Sequence, residues 1–206
     1  MAMKKYMKPD GFRKNPWSDH YTHLARKTGY PARSVFKLQE IQRKYRLIKK
    51  GHRILDLGCA PGSWMMYASE LTGDRGLVVG LDLKPVTVSL APHVTALVMD
   101  VFSEDASAWE AVGSGFNVVL SDMAPDTTGA KDVDAIRSLQ LSERAFSIAR
   151  DRLASGGSFV CKIFFGEDVK AFSEIVRKAF SQLKLFKPEA IRKASREIYI
   201  IGMNKL

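Results

Sequence analysis

The chain has 206 residues, of which 46% are apolar, and a formal net charge of +10. This length suits a single globular domain with a sizeable core. The apolar runs fall short of the roughly 18 residues that a membrane span needs, and the N-terminus lacks the apolar segment of a secretion signal, so we expect a cytoplasmic protein with no membrane partner. Two cysteines and four scattered histidines predict free thiols and no metal site.

The positive charge is concentrated at the N-terminus. Residues 1–50 contain 14 Lys and Arg against 3 Asp and Glu, a net charge of +11, whereas residues 51–206 contain 18 against 19, a net charge of −1. Aromatic residues are interleaved with the basic ones at Tyr6, Phe12, Trp17, Tyr21 and Tyr30. This mixture is typical of a surface that follows phosphates and stacks on bases, so we expect a nucleic acid as the partner. A solvated basic tail and an acidic membrane surface are the alternatives.

The predicted elements alternate between helices and strands. The first helix covers 32–48, where Leu38, Ile41 and Tyr45 recur at helical spacing and should dock the basic segment onto the body. Apolar runs then predict strands at 52–58, 76–82, 94–100, 116–122, 157–165, 183–190 and 197–203. Further helices are predicted at 62–72, 104–112, 133–154 and 168–183. This alternation indicates an α/β fold with a mostly parallel seven-stranded sheet and helices on both faces.

Charged residues stand at the ends of several predicted strands. Four runs carry an aspartate at their C-terminal end, and a fifth, "GSFVCKIFFG", carries a lysine near its end: Asp56, Asp82, Asp100, Asp122 and Lys162. In an open parallel sheet these ends share one edge, where a crevice binds ligands. A single aspartate there is an ordinary turn or helix-cap residue. Four aspartates together with a lysine indicate a functional site.

The turn after the first strand, "DLGCAPGSW", indicates which ligand binds. Gly58 and Gly62 let the backbone turn tightly and approach a bound molecule closely. Their G-x-x-x-G spacing differs from the dinucleotide fingerprint, so a nicotinamide site is the less favoured alternative. Asp82, at the end of the second strand, is placed to bind ribose hydroxyls. Together with Asp100, these residues predict S-adenosyl-L-methionine as the cofactor.

Six motifs follow one another over nearly the whole chain: "GYPARSVFKLQEI", "DLGCAPGSW", "GLDLKP", "LSDMAPDTTG", "VCKIFFG" and "SREIYIIG". In order and spacing they resemble the FtsJ/RrmJ family of RNA ribose 2′-O-methyltransferases. The resemblance implies a Rossmann-like methyltransferase domain at 31–206, preceded by a basic N-terminal extension at 1–30. Cys59 and Ser63 stand where the family commonly has alanine and glycine, and Met65 follows the tryptophan, but these departures leave the matched charges intact.

The same resemblance implies roles for individual residues. The family's catalytic set of two lysines and two carboxylates would fall on Lys37, Asp122, Lys162 and Glu197. The cofactor contacts, to which the turn itself adds Gly58, would fall on Gly62, Trp64, Asp82, Asp100 and Asp122. The short bacterial form of the family implies a uridine in the A-loop of large-subunit ribosomal RNA as the target, whereas relatives with the same four residues modify the tRNA anticodon loop. We expect a monomer.

Without the family resemblance, the sequence supports two of the four catalytic candidates better than the other two. Asp122 and Lys162 share the expected crevice, where a charge pair offsets the free-energy cost of burial. Glu197 opens a strand, where a charged residue is equally ordinary, and Lys37 on its own belongs with Arg33 to a solvated basic helix face. A ribose hydroxyl becomes a good nucleophile once its proton leaves. Lys162 is therefore either the general base or a fixed positive charge for the developing alkoxide.

Three other functions fit the chain less well. A base N-methyltransferase would carry Asn/Asp-Pro-Pro-aromatic after the fourth strand to stack a flipped base, where this chain has "SDMAPDTTG". Methyl transfer to cytosine C5 needs an activated cysteine, and Cys161 lies inside a strand with nothing to mark it as activated. A non-catalytic RNA-binding assembly factor would have lost the four matched charges, and all of them are present.

Overall fold

The computed structural model describes residues 16–192 and 195–206, with side chains from residue 20 onward. Its helices are α1 Pro16–Lys27, α2 Val35–Tyr45, α3 Ser63–Thr72, α4 Ala106–Val112, α5 Lys131–Arg152 and α6 Val169–Arg177. Its strands are β1 Arg53–Leu57, β2 Leu77–Asp82, β3 Val94–Val98, β4 Phe116–Ser121, β5 Leu153–Phe164, β6 Phe180–Phe186 and β7 Glu197–Lys205. None of the helices in the described ranges is long and apolar enough to cross a membrane.

The strands form one seven-stranded sheet in the order β3-β2-β1-β4-β5-β7-β6. The pairs from β3 to β5 are parallel, whereas β7 runs antiparallel to both β5 and β6. The predicted mostly parallel seven-stranded sheet is therefore confirmed. The strand order reverses between β1 and β4, and in such sheets ligands bind at the carboxyl ends of the strands beside this reversal.

Alternation along each strand supplies one core on each face of the sheet. On β1, Leu55 and Leu57 enter the core beneath α4, α5 and α6, and Ile54 enters the core beneath α2 and α3. β5 follows the same rule: Phe159, Cys161 and Ile163 face α5 and α6, and Val160 faces α2 and α3. Such strands read as near-continuous apolar runs because both of their faces are buried.

The basic segment is partly docked on the body, as expected. Ala25 and Tyr30 are buried with Val35 at the start of α2, and the Tyr30 hydroxyl donates hydrogen bonds of 2.9 and 2.8 Å to the two carboxylate oxygens of Glu70 in α3. The more basic residues 1–15 lie outside the described part of the chain.

Most predicted elements agree with the structure to within a few residues, but the helix predicted at 168–183 is wrong in its second half. α6 ends at Arg177, and β6 begins at Phe180. Apolar residues continue at helical spacing through Phe172, Val176 and Phe180, so the local pattern favours a helix throughout. Pairing with β7 along the edge of the sheet decides the conformation instead, because strand preference depends on tertiary neighbours.

Candidate active site

Four charged side chains meet at the carboxyl ends of the central strands. Lys162 Nζ lies 3.2 Å from Asp122 Oδ1 and also donates a hydrogen bond to the backbone carbonyl of Asp122. Lys37 Nζ lies 3.6 Å from the same Oδ1 and 2.6 Å from Glu197 Oε2, to which it donates a hydrogen bond. The four residues that the family resemblance singles out therefore form one connected network, in which two lysines share Asp122.

Three strands and one helix place these groups. Asp122 directly follows β4, Lys162 lies in β5 opposite Tyr199 of β7, and Glu197 is the first residue of β7. Lys37 comes from the first turn of α2, on the same face of the sheet. A lysine stands in this apolar strand because its stem is buried and its ammonium group reaches Asp122 at the edge of the sheet.

Lys37 is only 8% exposed, so its placement on a solvated basic helix face is wrong. It lies next to Leu38 on the side of α2 that packs against the body, and Glu197, 160 residues later in the sequence, accepts its hydrogen bond. A buried lysine needs such a partner. The spacing of residues within α2 cannot predict this partner, because Glu197 belongs to a distant strand.

Tyr199 is a member of this network that the sequence did not reveal. It is fully buried, and its hydroxyl donates a 2.6 Å hydrogen bond to Asp122 Oδ1. Its ring lies 6.0 Å from that of Trp64 in α3. Its position directly opposite Lys162 on the neighbouring strand would have indicated a role in the site. That position can be known only once β7 is known to pair with β5.

The network keeps Asp122 ionised. Burial alone would raise the pKa of Asp122, but the charges of Lys162 and Lys37 and the hydrogen bond from Tyr199 outweigh burial and lower the pKa. Burial lowers the pKa of Lys37, whereas Asp122 and Glu197 raise it, and the net result is a raised pKa. Burial, followed by the charge of Asp122, raises the pKa of Tyr199 well above its ordinary value, so its hydroxyl remains a donor.

A cavity of about 580 Å³ adjoins this network at the reversal of strand order. Four of the residues predicted to bind the cofactor line it: Gly58, Asp82, Asp100 and Asp122. Asp82 is anchored, because its two oxygens accept hydrogen bonds of 2.9 Å from the backbone N–H groups of Ala60 and Lys84. Asp100 accepts a single 2.9 Å bond, from the N–H of Phe102. Both carboxylates keep lone pairs available for a ligand.

Gly62 and Trp64 lie outside the cavity lining, so their contact with the cofactor stays a prediction. The Gly62 N–H donates a 2.7 Å hydrogen bond to the carbonyl of Cys59, which closes the turn. Gly62 has a φ of 112°, and a Cβ at this position would lie 2.9 Å from Val88. The Trp64 indole N–H donates a 2.8 Å bond to the carbonyl of Ser34. In this structure Gly62 therefore shapes the turn, and Trp64 ties the start of α3 to the segment before α2.

Asp56, the remaining aspartate of the predicted edge, is completely buried and does not line the cavity. Neither carboxylate oxygen has a hydrogen-bond partner among the described residues. Burial, and then the charges of Asp122 and Asp82, raise the pKa of Asp56 well above its ordinary value. A carboxyl group in these surroundings is neutral, because an isolated buried charge is too unfavourable.

The two thiols are free and buried. Burial raises the pKa of the Cys161 thiol to about 12, which does not suit a nucleophile. Within the described ranges, no group of three or more His, Cys, Asp or Glu side chains could hold a metal ion.

An α/β fold whose carboxylate-lined cavity adjoins a lysine–carboxylate network at the ends of the strands has the features of an enzyme active site. The sequence model of the FtsJ-like methyltransferases matches residues 30–205. The chain therefore belongs to the FtsJ-like methyltransferase family.

Relatives and solved structures agree with this assignment. The chain is 54% identical to the ribosomal RNA large subunit methyltransferase E of Desulforapulum autotrophicum over 94% of this chain and 95% of the relative. It is 52% identical to the protein of the same name from Desulfatibacillum aliphaticivorans over 93% of each. A crystal structure from Plasmodium falciparum, described as a ribosomal RNA methyltransferase, has a TM-score of 0.75 and 25% identity over 86% of this chain and 99% of that one.

Proposed function

We propose that this protein transfers a methyl group from S-adenosyl-L-methionine to a ribose 2′-hydroxyl of large-subunit ribosomal RNA. The observation that carries the proposal is the network of Lys37, Asp122, Lys162 and Glu197 beside the cavity, in which both lysines are buried. The names of the relatives in Desulforapulum and Desulfatibacillum support the RNA substrate.

The cavity residues suit S-adenosyl-L-methionine. Four carboxylates and two cationic side chains line the cavity: Asp82, Asp100, Asp122 and Asp126, with Lys84 and Arg137. The excess of negative charge favours a cationic ligand with hydroxyl groups. Asp82 would accept hydrogen bonds from the ribose, and Asp122 would lie nearest the positive charge. The φ of 79° at Gly58, with Met123 Cγ 2.7 Å from the position of a Cβ, means that only glycine fits the turn at the cavity wall. When bound, S-adenosyl-L-methionine supplies an electrophilic methyl group on a positively charged sulfur.

Lys162 controls the proton of the acceptor hydroxyl. In its neutral form its Nζ accepts the proton from the ribose 2′-hydroxyl, and the oxygen becomes nucleophilic as the proton leaves. Lys162 is not the only cationic partner of Asp122, because the carboxylate also faces the ammonium group of Lys37 and would face the positive charge of a bound cofactor. The ammonium group formed by proton transfer is then stabilised by Asp122.

Lys37, Glu197 and Tyr199 hold this arrangement in place. Glu197 keeps Lys37 over the site through their 2.6 Å bond, and Tyr199 fixes the orientation of the Asp122 carboxylate. A reaction that requires little covalent help from the protein depends on such positioning.

The proposal extends to the target nucleotide, the role of the N-terminal extension, the oligomeric state and the localisation. The target is a uridine in the A-loop of the large-subunit RNA, and residues 1–30 form a basic RNA-binding extension of a monomeric, cytoplasmic enzyme. The net charge of +11 on residues 1–50 supports this role for the extension.

Mass spectrometry of ribosomal RNA and tRNA from cells that lack the protein tests the proposal. We expect the loss of one ribose methylation in large-subunit RNA, restored by the wild-type gene and not by a Lys162→Ala variant. Loss of a ribose methylation in tRNA would assign the alternative substrate. Unchanged methylation in both RNAs would favour a non-catalytic assembly factor.

A further inference from the structure

Phe165 carries an exposed aromatic ring immediately after the strand that bears Lys162. Its side chain is 60% exposed. Among the Phe, Tyr and Trp residues whose side chains are described, only Phe102 and Phe165 are exposed. Phe102 lines the cofactor cavity, and Phe165 does not. Cofactor binding therefore gives no reason for the exposure of the Phe165 ring at this edge of the sheet.

The backbone of Phe165 is fixed even though its ring is exposed. Its N–H donates a 2.7 Å hydrogen bond to the carbonyl of Arg196, and the Arg196 guanidinium donates a hydrogen bond to the carbonyl of Phe165. The preceding residue, Phe164, pairs with Glu197 of the charged network. Phe165 therefore lies one residue beyond the last β5–β7 pair, Phe164–Glu197. Both its backbone N–H and its carbonyl are hydrogen-bonded to Arg196.

The loop after Phe165 is held against α5. A Cβ placed at Gly166 would lie 3.6 Å from the Cβ of Ala135 in the first turns of that helix. The ring therefore projects from a backbone that Arg196 holds and that passes beside α5, which lowers the entropy lost when a ligand packs on it.

The neighbouring charges favour a base over a phosphate as the ligand of this ring. Glu167 and Asp168 follow Phe165 within three residues, and both are exposed. The Arg196 guanidinium at the Phe165 carbonyl offsets one of these two negative charges, so the surroundings of the ring carry no excess positive charge to bind a phosphate. A neutral base has a flat face that matches an exposed phenyl ring.

We propose that Phe165 is a stacking platform for a base of the acceptor RNA next to the methylated nucleotide. The inference rests on the proposed function, because it places the RNA over Lys162. Base stacking on an aromatic side chain is sequence-tolerant and strengthens binding by about 5- to 100-fold per base. Phe165 acts by positioning the RNA and takes no part in methyl transfer.

Substitutions at Phe165 test the role of the ring with large ribosomal subunits from cells that lack the protein as the acceptor. Phe165→Ala should lower kcat/KM for the subunits by about 5- to 100-fold, mainly through KM, with unchanged S-adenosyl-L-methionine affinity in calorimetry. Phe165→Trp should retain activity close to wild type, and Phe165→Leu should resemble Phe165→Ala, because leucine keeps apolar bulk without a flat face. The matched control is Ile175→Ala, which truncates an apolar side chain of similar exposure on α6.

A binding measurement separates stacking from general packing. The wild type should bind an oligouridylate more tightly than an abasic ribose-phosphate oligomer of equal length. Phe165→Ala should reduce this difference in affinity and leave the salt dependence of binding unchanged. Full activity of Phe165→Leu, or equal kcat/KM for Phe165→Ala and wild type on an RNA that the wild type methylates, would overturn the stacking role alone. Absence of RNA methylation by the wild type would instead overturn the proposed function.

Discussion

Lys162 is 6% exposed and has only Asp122 as its charged partner within 4 Å among the described residues. A lysine whose ammonium group simply reached solvent at a strand end would not need this carboxylate. The contact agrees with both chemical roles, because a general base and a fixed positive charge would each be held beside Asp122. Substitution by arginine distinguishes them, since arginine keeps the charge and does not lose its proton.

We expect Lys162→Arg and Lys162→Ala to be equally inactive, with single-turnover methyl transfer slowed by about 10²- to 10⁴-fold, because neither side chain can accept the proton. The measurement uses saturating RNA and cofactor, after calorimetry and thermal unfolding show that both variants bind cofactor and fold. Lys170→Ala on the exposed side of α6 is the control. Activity of the arginine variant well above that of the alanine variant would assign a fixed charge, and near-normal turnover of Lys162→Ala would contradict any catalytic role.

Asp56 should make stability depend on pH. Its folded pKa is raised by burial, so the native state retains a proton that the unfolded chain loses above about pH 4. The contribution of Asp56 is therefore most favourable below the unfolded pKa and is lost progressively as the pH rises towards the folded pKa. An asparagine has nearly the same shape and no proton to release.

Asp56→Asn should therefore raise the free energy of unfolding at pH 7, because asparagine has no proton to lose when the chain unfolds. The gain should shrink towards zero as the pH falls below about 4. Urea unfolding at a series of pH values measures both effects. Destabilisation at pH 7 would show instead that Asp56 is ionised and paired in the folded protein.

At the scale of elements, the turn at the start of α3 is tied to the segment that precedes α2. Ser63 Oγ accepts a 2.8 Å hydrogen bond from the N–H of Ala32 and donates a 3.1 Å bond to the carbonyl of the same residue. Trp64 adds the bond from its indole to the carbonyl of Ser34, three residues before Lys37. These hydrogen bonds therefore fix the position of the turn at 58–62 relative to α2, the helix that carries Lys37.

We expect Ser63→Ala to lower the free energy of unfolding by about 1–3 kcal/mol, because the partly buried N–H of Ala32 loses its acceptor. It should also reduce the single-turnover rate more than the cofactor affinity, since the displaced element carries Lys37. Urea unfolding and single-turnover assays provide the two readouts. The control is Ser107→Ala, where the lost bond to Asp105 is exposed and the expected change is within about 0.5 kcal/mol. Equal changes for the two variants would contradict the coupling.

The sequence was sufficient for the parts of the site that depend on strand ends. Asp82, Asp100 and Asp122 follow apolar runs, and the parallel sheet brings them to one cavity. Lys37 and Tyr199 were beyond reach from spacing, because their partners Glu197 and Asp122 lie 160 and 77 residues away. The boundary between α6 and β6 was missed for a similar reason, since pairing with β7 overrides a helical pattern that is locally consistent.

At the scale of the whole molecule, charge and chemistry are carried by different parts of the chain. Residues 51–206 have a net charge of −1 and contain the cavity, Asp122, Lys162 and Glu197, whereas residues 1–50 have a net charge of +11 and contribute Lys37. A nearly neutral body has little electrostatic attraction for a polyanion. RNA affinity should therefore come chiefly from the N-terminal segment, and the body should supply the specific contacts.

Replacement of five N-terminal basic residues by glutamine tests this division: Lys4, Lys5, Lys8, Arg13 and Lys14, all outside the described part of the chain. Because each neutralised phosphate contributes about −0.7 to −0.9 to the slope of log affinity against log salt, the slope should flatten by as much as about 4. Cofactor affinity should stay constant. The control replaces five exposed basic residues of the body, Arg75, Arg150, Lys170, Lys178 and Lys184, and should leave the slope nearly unchanged. An unchanged slope in the N-terminal variant would mean that the segment is a solvated tail and that the phosphates are bound elsewhere.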